Sequence, residues 1–181
     1  MTGKHDLRSG ADVRMHLSHA MIQRGRMFCV WEKKDPMNEG DTIIIAFETP
    51  EDFDIHLRTV YSSYGPVDVE VFEYATWDEG SGASFTAINR NRESDIASYI
   101  KGDANGPMMA NEVVIYPDNF LGTIIDQISS LIWYNHPNDQ YSSTELHLRA
   151  NTRYGIVLTA KSAQNAGFLK LFWYEIRRRD T

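Results

Sequence analysis

His16 and His19 stand three residues apart in "HLSH", and on a helix that spacing puts two imidazoles on one face, as zinc ligands require. Asp12 lies four residues before His16, but no third ligand stands near. Ordinary polar contacts are therefore the preferred reading, and no metal is expected. Carboxylates pair as Asp68 with Glu70, and as Glu51 with Asp52 and Asp54. Two carboxylates divide acid and base work only in a cleft that pushes their pKa values apart. The first pair falls on the wet face of an alternating strand and the second set in a turn after Pro50, where they act as solvating charge. "WDEGSG" (77–82) lacks the ligand spacing and terminal glutamate of a calcium loop and reads as a turn. Trp77, Tyr99, Trp133, Tyr134 and Tyr141 have the ring area to line a sugar-binding groove, and equally the composition of a β core or a subunit interface. No phosphate-cradling glycine loop, dinucleotide fingerprint, nucleophile elbow or HExxH helix is present. The chain is read as a non-enzyme that needs no cofactor.

The elements around these residues are strands. From Gly25 onward, short runs rich in Val, Ile, Tyr, Phe, Trp and Thr alternate with Gly, Pro, Asn and Asp clusters. Strands are predicted over 26–33, 41–49, 54–63, 67–75, 111–117, 130–135, 144–151, 153–160 and 167–176. In "VDVEVFEYA" Val67, Val69, Val71 and Glu73 share one face, with Asp68, Glu70, Phe72 and Tyr74 opposite. In "TELHLRAN" Leu146 and Leu148 oppose Glu145, His147 and Arg149. "FLKLFWYEI" is apolar on both faces, which predicts a central strand. "LHLRANTRYGIVLTA" (146–160) reads as two strands joined by an Ala-Asn-Thr turn, beside which Tyr154 is placed like the corner tyrosines of β-sandwiches. In 117–130, Phe120, Ile124, Ile125 and Ile128 fall near one helical stripe, so a short helix or a covering loop is expected. Residues 74–95 read as a long decorated loop. Strands of this number with no helices between them predict an all-β fold, antiparallel sheets packed as a sandwich or jelly roll.

The chain has 181 residues, 42% of them hydrophobic and 24% charged, which suits one folded domain. Residues 1–25 lack a sustained period and are expected to extend as an N-terminal arm, ahead of a body over 26–177 and a basic tail over 178–181. Cys29 is the only cysteine; flanked by Phe28 and Val30, it reads as a small buried hydrophobe, and no disulfide can form within the chain. A formal net charge of -7 argues against a general nucleic-acid partner. No signal peptide or membrane span is read from the sequence.

Four motifs, "HLSHAMIQRGRMFCV", "TAINRNRES", "LRANTRYGIVLTA" and "FLKLFWYEI", occur in an order that resembles a family of tailed-bacteriophage head proteins known as cement, decoration or minor capsid proteins. The chain departs from that family at Arg90, where an asparagine is usual. The resemblance implies a jelly roll on the outer surface of the phage head, made in the bacterial host cytoplasm and carried on the virion. It further implies an arm reaching the phage major capsid protein, and a homo-oligomer, a dimer before a trimer. The expected contacts are Arg14, His16, His19, Arg24 and Arg26 of the arm, Asn89, Arg90, Asn91 and Arg92 of the loop, and Arg177, Arg178 and Arg179 of the tail. The alternatives are a carbohydrate-binding jelly roll used in adhesion or in a tail fibre, and a sandwich glycosidase or lyase with Asp68, Glu70 or Glu112 in one groove.

Overall fold

The computed structural model describes residues 4–5, 12–13, 17–130, 141–142 and 145–178. In chain order the elements are β1 (Lys4–His5), β2 (Asp12–Val13), α1 (Leu17–Gln23), β3 (Met27–Met37), β4 (Thr42–Glu48), β5 (Phe53–Ser63), β6 (Val67–Thr76), β7 (Ala83–Thr86) and β8 (Ile88–Asn89). There follow β9 (Lys101–Gly102), β10 (Met109–Ala110), β11 (Glu112–Ile115), β12 (Leu121–Ser130), β13 (Tyr141–Ser142), β14 (Leu146–Leu148), β15 (Arg153–Ala160) and β16 (Asn165–Arg177). Two antiparallel sheets pack face to face. One has six strands in the order β13-β5-β16-β3-β8, with β14 also on β5; the other has eight, in the order β10-β9-β4-β15-β6-β12, with β11 joining β4 to β7. No described helix is long and apolar enough to cross a membrane.

Alternation builds the core. Val67, Val69, Val71 and Glu73 all point inward from β6, as their spacing predicts, and β16 lies between β5 and β3 with Leu169, Leu171 and Trp173 buried. An aromatic chain crosses the sandwich. The ring of Trp173 stacks 6.0 Å from Phe28 on its own sheet and 6.5 Å from Phe47 on the other, and Phe47 stacks 6.2 Å from Tyr154. Each such pair adds roughly 0.5–1.5 kcal/mol beyond its buried area.

The segment 146–160 is a corner between the sheets. β14 pairs with β5 in one sheet and β15 with β4 and β6 in the other. Asn151 takes a left-handed φ of 46° at the turn, which its short polar side chain tolerates. The turn is clamped to β4: the Thr49 N–H donates to the Thr152 carbonyl at 3.0 Å, and the Thr152 N–H donates to Thr49 Oγ1 at 3.1 Å. The Tyr154 hydroxyl accepts the Arg149 N–H at 2.9 Å and donates to Glu73 Oε1 at 2.7 Å. Burial, then the neighbouring Glu73, pushes the Tyr154 hydroxyl pKa well up.

Three expectations need correction. The helix or loop expected within 117–130 is strand β12, whose register against β6 shifts twice, between Leu121 and Thr123 and between Ile124 and Asp126. The first shift adds a residue to β6 and the second adds Ile125 to β12, and that one extra residue breaks the alternation of β12 and lets its apolar positions mimic a helical stripe. The loop expected over 74–95 includes the end of β6 and two short strands, β7 on β11 and β8 on β3. The strand expected over 144–151 shrinks to Leu146–Leu148 because the chain turns into the corner. Of the strand expected over 130–135, Ser130 closes β12 and the rest lies outside the described residues.

Candidate partner-binding face

Sheet register decides which side chains share the outer face of the six-stranded sheet. β5, β16 and β3 lay down three rows: Arg58–Phe172–Cys29, Val60–Lys170–Trp31 and Ser62–Phe168–Lys33. These rows contain cations and rings and no acid. The Lys170 ammonium sits 4.5 Å from the Phe172 ring centre and 5.4 Å from that of Trp31, and the Arg90 guanidinium lies 4.9 Å over Phe172. Quadrupole attraction holds these cations against the rings without neutralising them. Among the described residues no carboxylate pairs with Arg90 or Lys170. Cys29 lies beneath them: burial raises its thiol pKa, with Lys170, Arg90 and Arg92 pulling the other way. The thiol is buried and takes the quiet role its sequence context predicts.

Helix α1 and the asparagine loop frame one end of this face. Met21 of α1 is buried against Met27 and Tyr174, so the last residues of the expected arm lie on the body. The Asn89 side-chain amide donates to the carbonyls of Gly25 and Ile96 at 2.9 and 2.8 Å, and its oxygen accepts the Asn91 N–H at 2.9 Å. The Asn91 amide donates to the Gln23 carbonyl at 3.2 Å, and the Arg90 N–H donates to the Met27 carbonyl at 2.9 Å. The two asparagines therefore brace the helix end, and Arg90 between them is aimed across Phe172. A hollow of about 200 Å³ results, lined by His19, Ile22, Met27, Arg58, Val60, Arg90 and Phe172. A second hollow of about 170 Å³ opens at the opposite end, between Lys33, Tyr64 and Phe168.

The predicted contact residues divide accordingly. His19 and Arg90 meet at the first hollow, Arg92 is exposed on the loop beside it, and Arg24 is exposed just after α1. Asn89 and Asn91 are braces. Arg26 is a strut, its guanidinium 5.6 Å from the Phe53 ring centre and 5.7 Å from that of Tyr99. Next to it the buried Glu175 carboxylate accepts Ser98 Oγ at 2.5 Å, the Tyr99 N–H at 3.0 Å and Trp173 Nε1 at 3.2 Å. Burial raises the Glu175 pKa, and these hydrogen bonds only partly oppose it. Arg177 is exposed, and Arg178 donates to Asp54 Oδ1 at 3.0 Å. Arg14, His16 and Arg179 lie outside the described residues.

Above the three rows, His56 stacks on His147 and on Tyr174, with ring centres 4.7 Å apart in both cases. His56 Nδ1 meets Glu145 Oε1 at 2.9 Å, His147 Nε2 lies 3.5 Å from Asp54 Oδ1, and the Tyr174 hydroxyl donates to Glu145. Burial works against ionisation of Asp54, but the hydrogen bonds from Arg178 and His147 prevail and lower its pKa. The cluster ties β14 to β5 and β16.

The groups proposed for the alternatives are dispersed. Trp77 is buried, donates from Nε1 to Asp103 Oδ1 at 2.6 Å, and is covered by the Arg153 guanidinium at 4.7 Å. Tyr99 stacks on Phe53 at 4.1 Å. Trp133 and Tyr134 lie outside the described residues, as does the Tyr141 side chain. Asp68 pairs with Lys161 at 2.5 Å. Glu112 is on β11, three strands across from β6 by way of β4 and β15, a lateral separation of about 14 Å at the usual strand spacing. Residues 77–82 form the expected turn, with the Ser81 N–H donating to the Asp78 carbonyl at 3.2 Å.

Sequence reasoning missed Arg58 and Trp31 as neighbours of Lys170 and Phe172 on one face. Their one signal was the doubly apolar "FLKLFWYEI", whose second apolar side is this surface. No family model, curated protein or solved structure was found to match the chain.

Proposed function

We propose that this chain is a structural cement or decoration protein of a tailed-phage head, which docks the outer face of its six-stranded sheet on acidic patches of the major capsid protein. One observation carries the proposal. Three of the four motifs that resemble head proteins converge on that face: "HLSHAMIQRGRMFCV" supplies α1 and β3, "TAINRNRES" the bracing loop, and "FLKLFWYEI" the central strand. The fourth, "LRANTRYGIVLTA", makes the corner that locks the two sheets.

Physical chemistry supports the same partner class. A chain of net charge -7 that presents Arg90 and Lys170 over the Phe172 ring, with no carboxylate pairing either of them among the described residues, places cations where a negative surface can dock. Arginine and aromatic side chains are the residues that anchor interfaces. Repetition over a symmetric shell then multiplies individually weak contacts into strong retention.

The test is co-sedimentation with empty heads of the encoding phage. Arg90→Glu/Lys170→Glu should abolish binding while leaving the far-UV spectrum unchanged, and binding of the unaltered chain should weaken as salt rises. Undiminished binding by the double variant would refute the docking face. Saccharide-specific binding by the isolated chain on a glycan array would replace the proposal with the carbohydrate-binding alternative.

A further inference from the structure

Arg90 stands between Asn89 and Asn91, and what those two amides hold decides where its side chain can be. Their hydrogen bonds to the carbonyls of Gly25, Ile96 and Gln23 fix the loop, and the Arg90 N–H donates to the Met27 carbonyl at 2.9 Å. The guanidinium is thereby set over the Phe172 ring. Its one hydrogen bond among the described residues, from Nη1 to Met27 Sδ at 3.9 Å, goes to a weak acceptor. A guanidinium has about five N–H donors in a rigid fork. A fork that is fixed in place, lines a hollow and has so poor a partner is a receptor for an anion.

The hollow itself sets the kind of anion. Arg58 and His19 line it with Arg90, and among the described residues none of its lining is acidic. The other walls are Ile22, Met27, Val60 and Phe172, which suit methylene groups better than water. At about 30 Å³ per water, a space of about 200 Å³ holds roughly six waters, so it has room for a whole side chain and not only for a charged tip. A free phosphate would leave oxygens against the apolar walls, whereas an aliphatic stem that ends in a carboxylate satisfies both parts. We infer that the hollow between α1 and the asparagine loop seats a single glutamate or aspartate side chain of the shell protein, its carboxylate held by Arg90 and its stem against Ile22 and Val60. This rests on the proposed docking to a phage head and deepens it, since binding is then concentrated at one anchor inside a wider face. Lys170 belongs to that wider face: it is held 4.5 and 5.4 Å from two ring centres and does not line the hollow.

Two measurements separate the anchor from the docking. In the isolated chain, N-acetylglutamate amide should shift the Arg90 Nε–H signal saturably in NMR titrations, and its glutamine counterpart should not. On empty heads of the encoding phage, Arg90→Gln should raise the dissociation constant at least ~10-fold, as loss of a charge-assisted hydrogen bond does. Lys170→Gln removes the same charge from the same face and should raise it only about 2-fold. Val60→Trp fills the hollow and alters no charge, so it should weaken head binding at least ~10-fold as well. Val60 is half-buried on the outer side of β5, where a strand accepts an aromatic residue, so this variant should keep the circular dichroism of the parent. Absence of a response to the glutamate probe, equal losses from Arg90→Gln and Lys170→Gln, or undiminished binding by Val60→Trp would overturn the anchor while leaving the docking face in place. Tighter binding of inorganic phosphate than of the glutamate probe would overturn the choice of an acidic side chain. A chain that answers the glutamate probe but binds no heads would overturn the shell protein as its source, and with it the proposed function.

Discussion

Replacing Tyr154 by Phe removes one oxygen from the corner that joins the two sheets. That oxygen donates to Glu73 Oε1 at 2.7 Å and accepts the Arg149 N–H at 2.9 Å. A hydrogen bond to a charged acceptor contributes roughly 1.5–3 kcal/mol and a neutral one about 1 kcal/mol. Glu73 keeps the Arg149 guanidinium, whose Nε lies 3.4 Å away, so its carboxylate is not wholly stranded and the lower half of the range applies to that bond. The phenyl ring still fills the site beside Phe47. The expected loss is therefore about 3 kcal/mol, a large share of the roughly 5–15 kcal/mol that holds a domain together. Urea unfolding followed by tryptophan fluorescence should show the midpoint falling with the m-value unchanged. The melting temperature should drop by roughly 6–12 °C for a chain of this size. A double-mutant cycle with Glu73→Gln should give a coupling of about 1 kcal/mol or more, because the two groups touch. A loss below about 1 kcal/mol, or a coupling near zero, would refute the claim that this hydroxyl ties the sheets together.

Two further substitutions probe the packing and the buried charge. A Cβ at Gly155 would sit 2.2 Å from Phe120 Cζ, so Gly155→Ala should cost about 1–3 kcal/mol through overpacking, and Phe120→Ala in the same chain should recover part of that cost in thermal melts; equal losses in both backgrounds would contradict the contact. Burial raises the folded-state pKa of Glu175 above its ordinary 4.5, so the folded chain holds that proton more tightly than the unfolded one, and stability is lost as pH climbs from 4.5 through the raised value. Glu175→Gln should remove that loss, so the stability of the variant relative to the parent should rise over this window in denaturant titrations, and a flat or falling difference would contradict the assignment.

What the sequence discloses follows from which forces act locally. The inward placement of Glu73 is readable from alternation in "VDVEVFEYA", and the central position of β16 from its two apolar faces, because both depend only on the period of a strand. The corner at Asn151 and Thr152 is readable from residue types that form turns. The identity of β12 is not, since the bulge at Ile125 breaks the period that marks a strand. The proposed docking face is hidden for a different reason. Arg58, Lys170 and Trp31 are far apart in the chain and become neighbours only through the register of β5, β16 and β3, which no single strand specifies. Asn89 and Asn91 announce a loop, but that their amides fasten Gly25 and Gln23 depends on tertiary placement.

The most direct measurement is an averaged image of the phage head at a resolution that places strands. The account predicts this sandwich on the outside of the shell with the outer face of β5, β16 and β3 against the capsid protein, Arg90 and Lys170 beside its carboxylates. Density for the chain with that face turned to solvent, or heads that lack the chain altogether, would contradict it.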